Sequence, residues 1–173
     1  KIYPPLKDIV TRNINYEVYD DKLITYYSDE EWDKLDSYMK HDRDMLFTYA
    51  GLRQVVDKYL VQDRSSGKIF ESPQYMYMLI SAVLFKNYPK EKRLSYVKRY
   101  YEAVSTFKIN IPTPIMAGIR TPLRQFASCV LVDSDDSLDS IFSSDMAIGR
   151  YVAQRAGIGI NAGRIRGLGS KIR

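Results

Sequence analysis

Two short apolar segments, one on each side of an amphipathic segment, constrain the last third of the chain. The first runs from Phe126 to Val132 and the second from Gly157 to Asn161. The first is rich in β-branched residues and is bounded by charged and turn-forming residues, which predicts a buried strand. The segment between them has helical periodicity to about Ala156. A strand, a helix and a second strand in this order predict one α/β unit, with its polar ends gathered for a ligand.

Helix signals fill most of the first 108 residues. Ser28 and Glu31 have the spacing of a capping box, in which each side chain accepts a bond from the other residue's backbone amide. Ser72 is predicted to cap a later helix, with Pro73 in the first helical position. The segment Tyr75–Phe85 is apolar on nearly every side, so this helix is predicted to lie at the centre of the domain.

Two features interrupt or end this series of helices. The turn-forming residues 64–67 separate two apolar segments and predict a small hairpin. Pro112 and Pro114 each lack an N–H donor and favour extended backbone before them, so they are predicted to lead the chain from the helices into the sheet. The predicted fold class is therefore α/β, with a helical domain that includes the small hairpin over residues 1–108 and the strand–helix–strand unit in residues 109–173.

The net charge of +5 is unevenly distributed along the sequence. Seven basic and two acidic residues lie between Lys86 and Lys108, and this segment is interpreted as the solvated face of a helix. Four basic residues and no acidic ones lie between Asn161 and Arg173, where glycines allow backbone amides to approach an anion. Because the rest of the chain is net acidic, direct binding of nucleic acid is not predicted.

The cysteine content and the hydropathy pattern indicate which cellular compartment to expect. One cysteine and one histidine cannot form an internal disulfide and make a poor metal site, so a reducing cytoplasm is the expected compartment. No apolar segment approaches the ~20 residues that span a bilayer, so no membrane association is expected. The sequence begins at Lys1 without a signal-peptide pattern, and we expect it to be an interior segment of a longer protein.

Several motifs, all in one order, resemble the large, catalytic subunit of class I ribonucleotide reductase. The matching segments are Ile111–Met116 (IPTPIM), Arg120–Phe126 (RTPLRQF), Ser128–Cys129, Asp136–Ile141 (DSLDSI), Gln154–Asn161 (QRAGIGIN) and Gly163–Arg166 (GRIR). The resemblance implies a helical N-terminal domain that leads into the first strands of a ten-stranded α/β barrel. The implied activity is the radical-based reduction of ribonucleoside diphosphates to deoxyribonucleotides, under allosteric control by nucleotides.

The resemblance also assigns roles to residues around the single cysteine. Cys129 matches one of two redox cysteines, which close into a disulfide as the 2′-hydroxyl of the substrate leaves. Thr113 and Ser128 match residues that contact the substrate, and Ala156 and Gly157 match a close backbone approach to its diphosphate. On residue type alone, Cys129 fits an inert buried thiol and the Thr113 hydroxyl fits a turn cap. The second redox thiol and the radical-bearing thiol lie outside this sequence, so the chain is predicted to be inactive alone.

A second group of residues matches the site for the specificity effector. This group consists of Asp136, Ser137, Leu138, Arg166 and Ile172. In the family the acidic residue binds the ribose of a nucleotide, the arginine meets its phosphates, and the residue matching Ile172 packs near the base. On residue type alone, Asp136 is a helix N-cap with Ser137 in the first turn. Asp135 stands where glycine is frequent in the family, which adds a charge to the turn before this site.

The resemblance implies a set of ligands and partners. No cofactor is expected to bind the chain directly; a deoxynucleoside triphosphate or ATP is the effector, and the radical comes from a separate, small, metal-containing subunit. The other implied partners are the remainder of the large subunit, a twofold mate that packs on the 137–155 helix, and thioredoxin or glutaredoxin as reductant. An alternative from a different class is a stand-alone nucleotide-binding regulatory module without catalysis.

Overall fold

The computed structural model describes residues 3–171, and the chain divides between Arg124 and Gln125 into two compact units, called here the N-terminal and C-terminal units. The α-helices of the N-terminal unit are α1 (Leu6–Asn15), α2 (Asp29–Tyr38), α3 (Tyr49–Lys58), α4 (Pro73–Phe85), α5 (Lys90–Ser105) and α6 (Thr113–Gly118). Two 3-10 helices, Asp21–Tyr26 and His41–Leu46, connect some of them. Strands β1 (Gln62–Asp63) and β2 (Lys68–Ile69) pair antiparallel, as the hairpin prediction requires.

Local sequence signals account for most of these helix starts. At α2, the Ser28 amide donates to the Glu31 carboxylate at 2.9 Å and the Glu31 amide donates to the Ser28 hydroxyl at 3.4 Å, so the predicted capping box is confirmed. Pro73 occupies the first turn of α4, as predicted. Ser72 occupies the predicted N-cap position, but the side-chain cap is absent: its hydroxyl makes no capping bond and is buried without a hydrogen-bond partner in the described chain. Proline already supplies a helical φ and has no N–H to satisfy, so α4 begins without a side-chain cap.

The core of the N-terminal unit is built around α4. Every residue from Pro73 to Ala82 is buried, and α4 packs against α5. Val97, Tyr101 and Val104 form the buried face of α5, as their helical spacing predicts. Trp32 and Leu35 bring α2 onto the same core. The prediction of a central helix over residues 75–85 is therefore confirmed for its first eight residues, and its last three are partly exposed.

The boundary between the units differs from the one predicted after residue 108. Residues 113–118 form α6 instead of an extended connection, because Pro112 is the N-cap and Pro114 lies in the first turn, where a missing N–H costs nothing. Helix α6 packs against α4, and the side chain of Arg120 is completely buried. The segment after residue 108 therefore belongs to the N-terminal unit.

The C-terminal unit is one strand–helix–strand element. Strand β3 (Cys129–Asp133) pairs in parallel with β4 (Gly157–Asn161), and the connecting helix α7 (Leu138–Ala153) packs on both strands. The predicted α/β unit is confirmed, and the bounds of β4 are those predicted. Strand β3 begins three residues later than predicted, since Phe126, Ala127 and Ser128 lie outside it. The mixed helix-and-strand fold class is confirmed as well.

The prediction that β3 is buried is wrong for the described chain. Leu131 is 88% exposed and Ile160 is 58% exposed, although both lie in apolar strands. The sheet of this unit has two strands and one covering helix, so one of its faces and both of its edges lack neighbours within residues 125–171. The apolar sequence of β3 indicates a strand with neighbours on each side, but those neighbours are not supplied by this segment.

Candidate functional site

The Cys129 thiol lies at the first residue of β3 and is exposed. The Ser128 hydroxyl is 3.8 Å from its sulfur. The register pairs Cys129 with Gly157 and Leu131 with Gly159. Because register partners in parallel strands project to the same face, β4 places no side chain beside the thiol. The interpretation of Cys129 as a buried thiol is therefore wrong for the described chain. Its exposure, like that of Leu131 on the same face of β3, reflects neighbouring strands that this segment does not supply.

The turn before β4 brings Gly157 close to the backbone of Ser128. A β-carbon at Gly157 would lie 3.3 Å from the Ser128 carbonyl oxygen, so glycine allows the two strands to approach here. The Gly157 amide donates to that carbonyl at 2.9 Å, and the buried Ala156 donates its amide to the Tyr151 carbonyl at 3.1 Å. Both amides are therefore engaged, and neither can donate to a phosphate while these bonds persist.

Thr113 belongs to the N-terminal unit, where it is the exposed first residue of α6. The N-cap of this helix is Pro112 and no side chain caps it, so the Thr113 hydroxyl does not serve as the turn cap. Instead, this hydroxyl lies 3.3 Å from the hydroxyl of Tyr59, the residue that ends α3. No sequence signal links these two residues, because they are separated by 53 intervening residues and belong to different helices.

Asp136 and Arg166 are brought together in the C-terminal unit. The Arg166 Nε donates to both carboxylate oxygens of Asp136, at 2.9 and 2.8 Å, and its Nη1 donates to the Lys171 carbonyl at 2.6 Å. The hydrogen bond from Arg166 lowers the pKa of Asp136 below its usual value. The side chains are 36% exposed for Asp136 and 33% exposed for Arg166, so a ligand in solution can reach both groups.

Two further members of the predicted effector site lie at the start of α7. The Ser137 hydroxyl accepts from the Ser140 amide at 3.2 Å, which makes Ser137 the N-cap. The alternative in which Asp136 caps the helix is therefore wrong by one residue, because the Asp136 carboxylate is held by Arg166 instead. Leu138, the first helical residue, is 64% exposed. Ile172, the fifth predicted member, lies outside the described residues.

A second arginine of the basic tail binds the same acidic turn. Arg164 contacts the carboxylates of Asp133 and Asp135, each at 3.0 Å. The hydrogen bond with Asp135 raises the pKa of the Arg164 guanidinium. Residue-type reasoning did not identify this pairing, although the opposite charges of the two segments are the signal that indicates it. The basic tail is therefore partly neutralised by its own unit.

The outer surface of α7 is apolar and exposed. Its exposed large apolar side chains are Leu138, Phe142, Met146, Tyr151 and Val152. A helix that packs on β3 and β4 alone needs apolar residues only along the side that faces the strands. These five residues remain exposed, so α7 has more apolar surface than its contact with the strands uses.

The described residues include neither a membrane-spanning helix nor a cluster of metal ligands. Among residues 3–171, no helix has both the length and the apolar character needed to cross a bilayer. In the same range, no cluster of three or more histidine, cysteine, aspartate or glutamate side chains is arranged to hold a metal ion.

Comparison with known proteins assigns both units to one family. The family model described as the ribonucleotide reductase all-alpha domain matches residues 45–124, and the model of the barrel domain matches residues 127–173. The ribonucleoside-diphosphate reductase subunit alpha of Haemophilus influenzae is 59% identical over 170 residues, and reductase 1 subunit alpha of Escherichia coli is 58% identical over the same length. The subunit alpha of Enterobacteria phage T4 is 50% identical over 165 residues.

These matches cover nearly all of this chain but only part of each relative. The alignments span 98% of the chain for the two bacterial proteins and 95% for the phage protein, and in each case 22% of the relative. Together the two family models cover most of the sequence, and their junction at residues 124–127 coincides with the division between the two structural units. The chain therefore belongs to the ribonucleotide reductase large-subunit family.

Proposed function

We propose that this chain is part of the large subunit of a ribonucleoside-diphosphate reductase, in which Cys129 is one of the two thiols that reduce the substrate. The observation that carries the proposal is the pairing of Cys129 with Gly157, which leaves space beside the thiol on its face of the sheet. The family resemblance gives Thr113 in the N-terminal unit and Ser128 in the C-terminal unit as hydroxyls that bind substrate oxygens. The turn at Ala156 and Gly157 allows a close approach of the diphosphate without a hydrogen bond from either amide.

The reduction consumes two thiols and one hydroxyl group. The bond between C2′ and the hydroxyl oxygen breaks, the oxygen leaves as water, and C2′ gains a hydrogen. The two electrons come from Cys129 and a second thiol, which close into a disulfide. Thioredoxin or glutaredoxin then reduces this disulfide, so Cys129 must be reachable from solvent or from a carrier thiol. The radical that starts the reaction comes from a separate metal-containing subunit.

The second thiol must come from another segment, because Cys129 is the only cysteine of this sequence. We therefore expect no reduction of ribonucleoside diphosphates by the 173-residue chain alone when it is mixed with a radical subunit and dithiothreitol. In the large subunit, Cys129→Ser is expected to abolish multiple turnover. Turnover by the isolated chain well above background, or full activity of Cys129→Ser, would contradict the role of Cys129.

The cluster at the start of α7 is proposed as the effector site. A carboxylate accepts hydrogen bonds from the two ribose hydroxyls or the single hydroxyl of a deoxyribose, and a guanidinium presents a planar fork of donors to phosphate oxygens. Asp136 and Arg166 supply these two groups, and Ser137, Leu138 and Ile172 are the remaining proposed contacts. The ligand is a deoxynucleoside triphosphate or ATP. The bond between Asp136 and Arg166 holds the basic tail against the turn, so the ligand meets an ordered site.

Substitution of the arginine tests the effector site. In the large subunit, Arg166→Ala removes a charge-assisted contact, and the affinity for the effector is expected to fall about 10- to 100-fold. Redox chemistry at Cys129 should survive. Arg164→Ala is the matched control, because it removes the same charge from the same loop, and its effect is expected to stay below about threefold. Equal effects of the two variants in equilibrium binding would indicate a general loss of positive charge instead of a specific contact.

The exposed apolar surface of α7 is proposed to pack on the same helix of a twofold mate, over residues 137–155. Five large apolar side chains are exposed on this one helix. A surface of this composition is typical of a protein interface and not of a helix face that contacts water. The other proposed partners are the remainder of the large subunit and the radical subunit. An accessible free thiol at the site fits a reducing compartment such as the cytoplasm.

One observation favours a second candidate, a nucleotide-binding regulatory module without catalysis. The proposed effector residues meet within the C-terminal unit, whereas the redox chemistry requires a thiol from elsewhere. If the module is the correct description, the 173-residue chain should bind a deoxynucleoside triphosphate as tightly as the large subunit does. The reductase proposal predicts weaker binding by the isolated chain, because the twofold mate and the rest of the barrel complete the site.

A further inference from the structure

A buried ion pair lies beneath the helix that carries Thr113. The side chains of Arg120 and Glu71 are both completely buried. The Arg120 Nε donates to the two Glu71 oxygens at 3.1 and 2.8 Å, and Nη2 donates to the same carboxylate. Glu71 also accepts from the Val61 amide at 2.7 Å and from the hydroxyl of Tyr19. A pair with this many bonds, away from water, fixes the orientation of the guanidinium.

The remaining donors of Arg120 bind two separate helices. Its Nη1 donates to the Met116 carbonyl in α6 at 2.6 Å, and its Nη2 donates to the carbonyl of Tyr59 at 2.9 Å. One guanidinium therefore joins the helix of Thr113, at Met116, to Tyr59, the C-cap residue of α3. This bridge restricts the movement of Tyr59 relative to that helix.

The side chains of Tyr59 and Thr113 are also in contact. The Tyr59 hydroxyl lies 3.3 Å from the Thr113 hydroxyl, and Tyr59 is half-buried while Thr113 is exposed. A threonine hydroxyl has one donor and two acceptor positions, so one bond with Tyr59 leaves others for a ligand. Without that bond, the exposed Thr113 side chain is free to exchange between rotamers.

We propose that Tyr59 is a positioning residue, which orients the Thr113 hydroxyl toward the ribonucleoside diphosphate, while Arg120 ties the Tyr59 carbonyl to the helix of Thr113 at Met116. This inference rests on the proposed function, because it requires Thr113 to contact the substrate. Tyr59 itself need not touch the substrate. Its contact with the Thr113 hydroxyl reduces the number of conformations of the Thr113 side chain, so less conformational entropy is lost when the substrate binds.

The test is a double-mutant cycle in the large subunit. Tyr59→Phe removes one hydroxyl and keeps both the ring and the carbonyl that Arg120 binds. It is expected to raise the Kd for a ribonucleoside diphosphate roughly 3- to 10-fold, the usual effect of one lost hydrogen bond. Thr113→Ala is expected to raise the Kd at least as much. If Tyr59 acts through Thr113, the double variant should bind no more weakly than Thr113→Ala. Tyr100→Phe, at another half-buried tyrosine of the same unit, is the control and should leave the Kd unchanged.

The outcomes separate this inference from the proposed function. A role of Tyr59 in general stability predicts that Tyr59→Phe weakens binding equally with and without Thr113, and that result would overturn the inference. An unchanged Kd for Tyr59→Phe, beside a raised Kd for Thr113→Ala, would overturn the inference and leave the substrate role of Thr113 intact. An unchanged Kd for Thr113→Ala would overturn both. Non-additive effects, with the Tyr100→Phe control unchanged, would establish the positioning role.

Discussion

The N-terminal and C-terminal units contain similar apolar residues but bury them to different extents. Leu79 in α4 has no exposed surface, whereas Leu131 in β3 is 88% exposed. The N-terminal unit surrounds its central helix with other helices, so most apolar side chains of α4 find partners within the same unit. The C-terminal unit has one helix and two strands, which cover one face of a sheet. An apolar pattern therefore indicates which residues need burial, but their burial depends on how many layers the chain itself provides.

The ion pairs of the two units also differ in how far they are buried. Glu71 and Arg120 are completely buried, and every bond they make is internal to the N-terminal unit. Asp136 and Arg166 have a similar carboxylate–guanidinium geometry, but each is about one-third exposed. A ligand can therefore compete for the second pair and not for the first. This contrast explains why we place the effector at Asp136 and give the Arg120 pair a structural role beneath Thr113.

The largest expected effect is on the free energy of unfolding, and it tests the difference in burial between the two ion pairs. Glu71→Gln leaves the Arg120 charge buried without a counter-charge, and it is expected to lower the free energy of unfolding by about 3–5 kcal/mol. Asp136→Asn leaves an exposed arginine that water can solvate, so a far smaller loss is expected. Urea unfolding of the isolated chain measures both variants, with the emission of the single, buried Trp32 as the probe for the N-terminal unit and amide hydrogen exchange in α7 as the probe for the C-terminal unit. Equal losses would show that exposure does not separate the two pairs.

A matched pair of leucine variants tests the packing difference. Leu79→Ala creates a cavity in the core of the N-terminal unit and is expected to cost about 2–5 kcal/mol of unfolding free energy. Leu131→Ala removes an exposed side chain, and in the isolated chain its cost should stay within about 0.5 kcal/mol. In the large subunit, where we propose that other strands cover β3, the cost of Leu131→Ala should rise toward that of Leu79→Ala. A small cost in both settings would mean that Leu131 is not covered.

The smallest expected effects concern two aspartates whose pKa values shift in opposite directions. Burial raises the pKa of Asp44 in the N-terminal unit above its usual 3.8, and the hydrogen bond from Arg166 lowers the pKa of Asp136 below the same value. Asp44 therefore contributes stability at low pH that is lost as the pH rises through its folded pKa. Asp136 contributes stability above pH 3.8 that is lost as the pH falls through its folded pKa. Carboxyl carbon NMR titration measures both midpoints, and a reversed order would contradict the assigned environments.

The features of this structure that the sequence predicted correctly are those set by interactions between residues close together in the sequence. The capping box at Ser28, the proline start of α4 and the bounds of β4 depend on residues within a few positions of each other. The errors arise where a distant contact decides the outcome. Pro112 and Pro114 allow a short helix as well as an extended segment, and packing against α4 selects the helix. The burial of β3 could not be read from its own residues, because burial requires neighbours that this segment lacks.

The candidate site shows the same limit. The grouping of Asp136 with Arg166 came from the family resemblance, since 29 residues separate them in the sequence. The contact between Tyr59 and Thr113 was not predicted at all, because it depends on how α3 and α6 are joined by Arg120. The pairing of Arg164 with Asp133 and Asp135 was not predicted either, although the opposite charges of the two segments are a signal for it. Residue type therefore predicts which groups can act, and the tertiary structure determines which of them meet.

Amide hydrogen exchange tests the central claim, that the N-terminal unit is self-sufficient whereas the strands of the C-terminal unit depend on other parts of the large subunit. In the isolated chain, we expect slow exchange across Tyr75–Phe85, fast exchange across residues 162–171, and intermediate exchange in β3 and β4. In the large subunit, exchange in both strands should slow while exchange in α4 changes little. If β3 and β4 are already as protected as α4 in a monodisperse, monomeric chain, the C-terminal unit is independent and the claim is wrong.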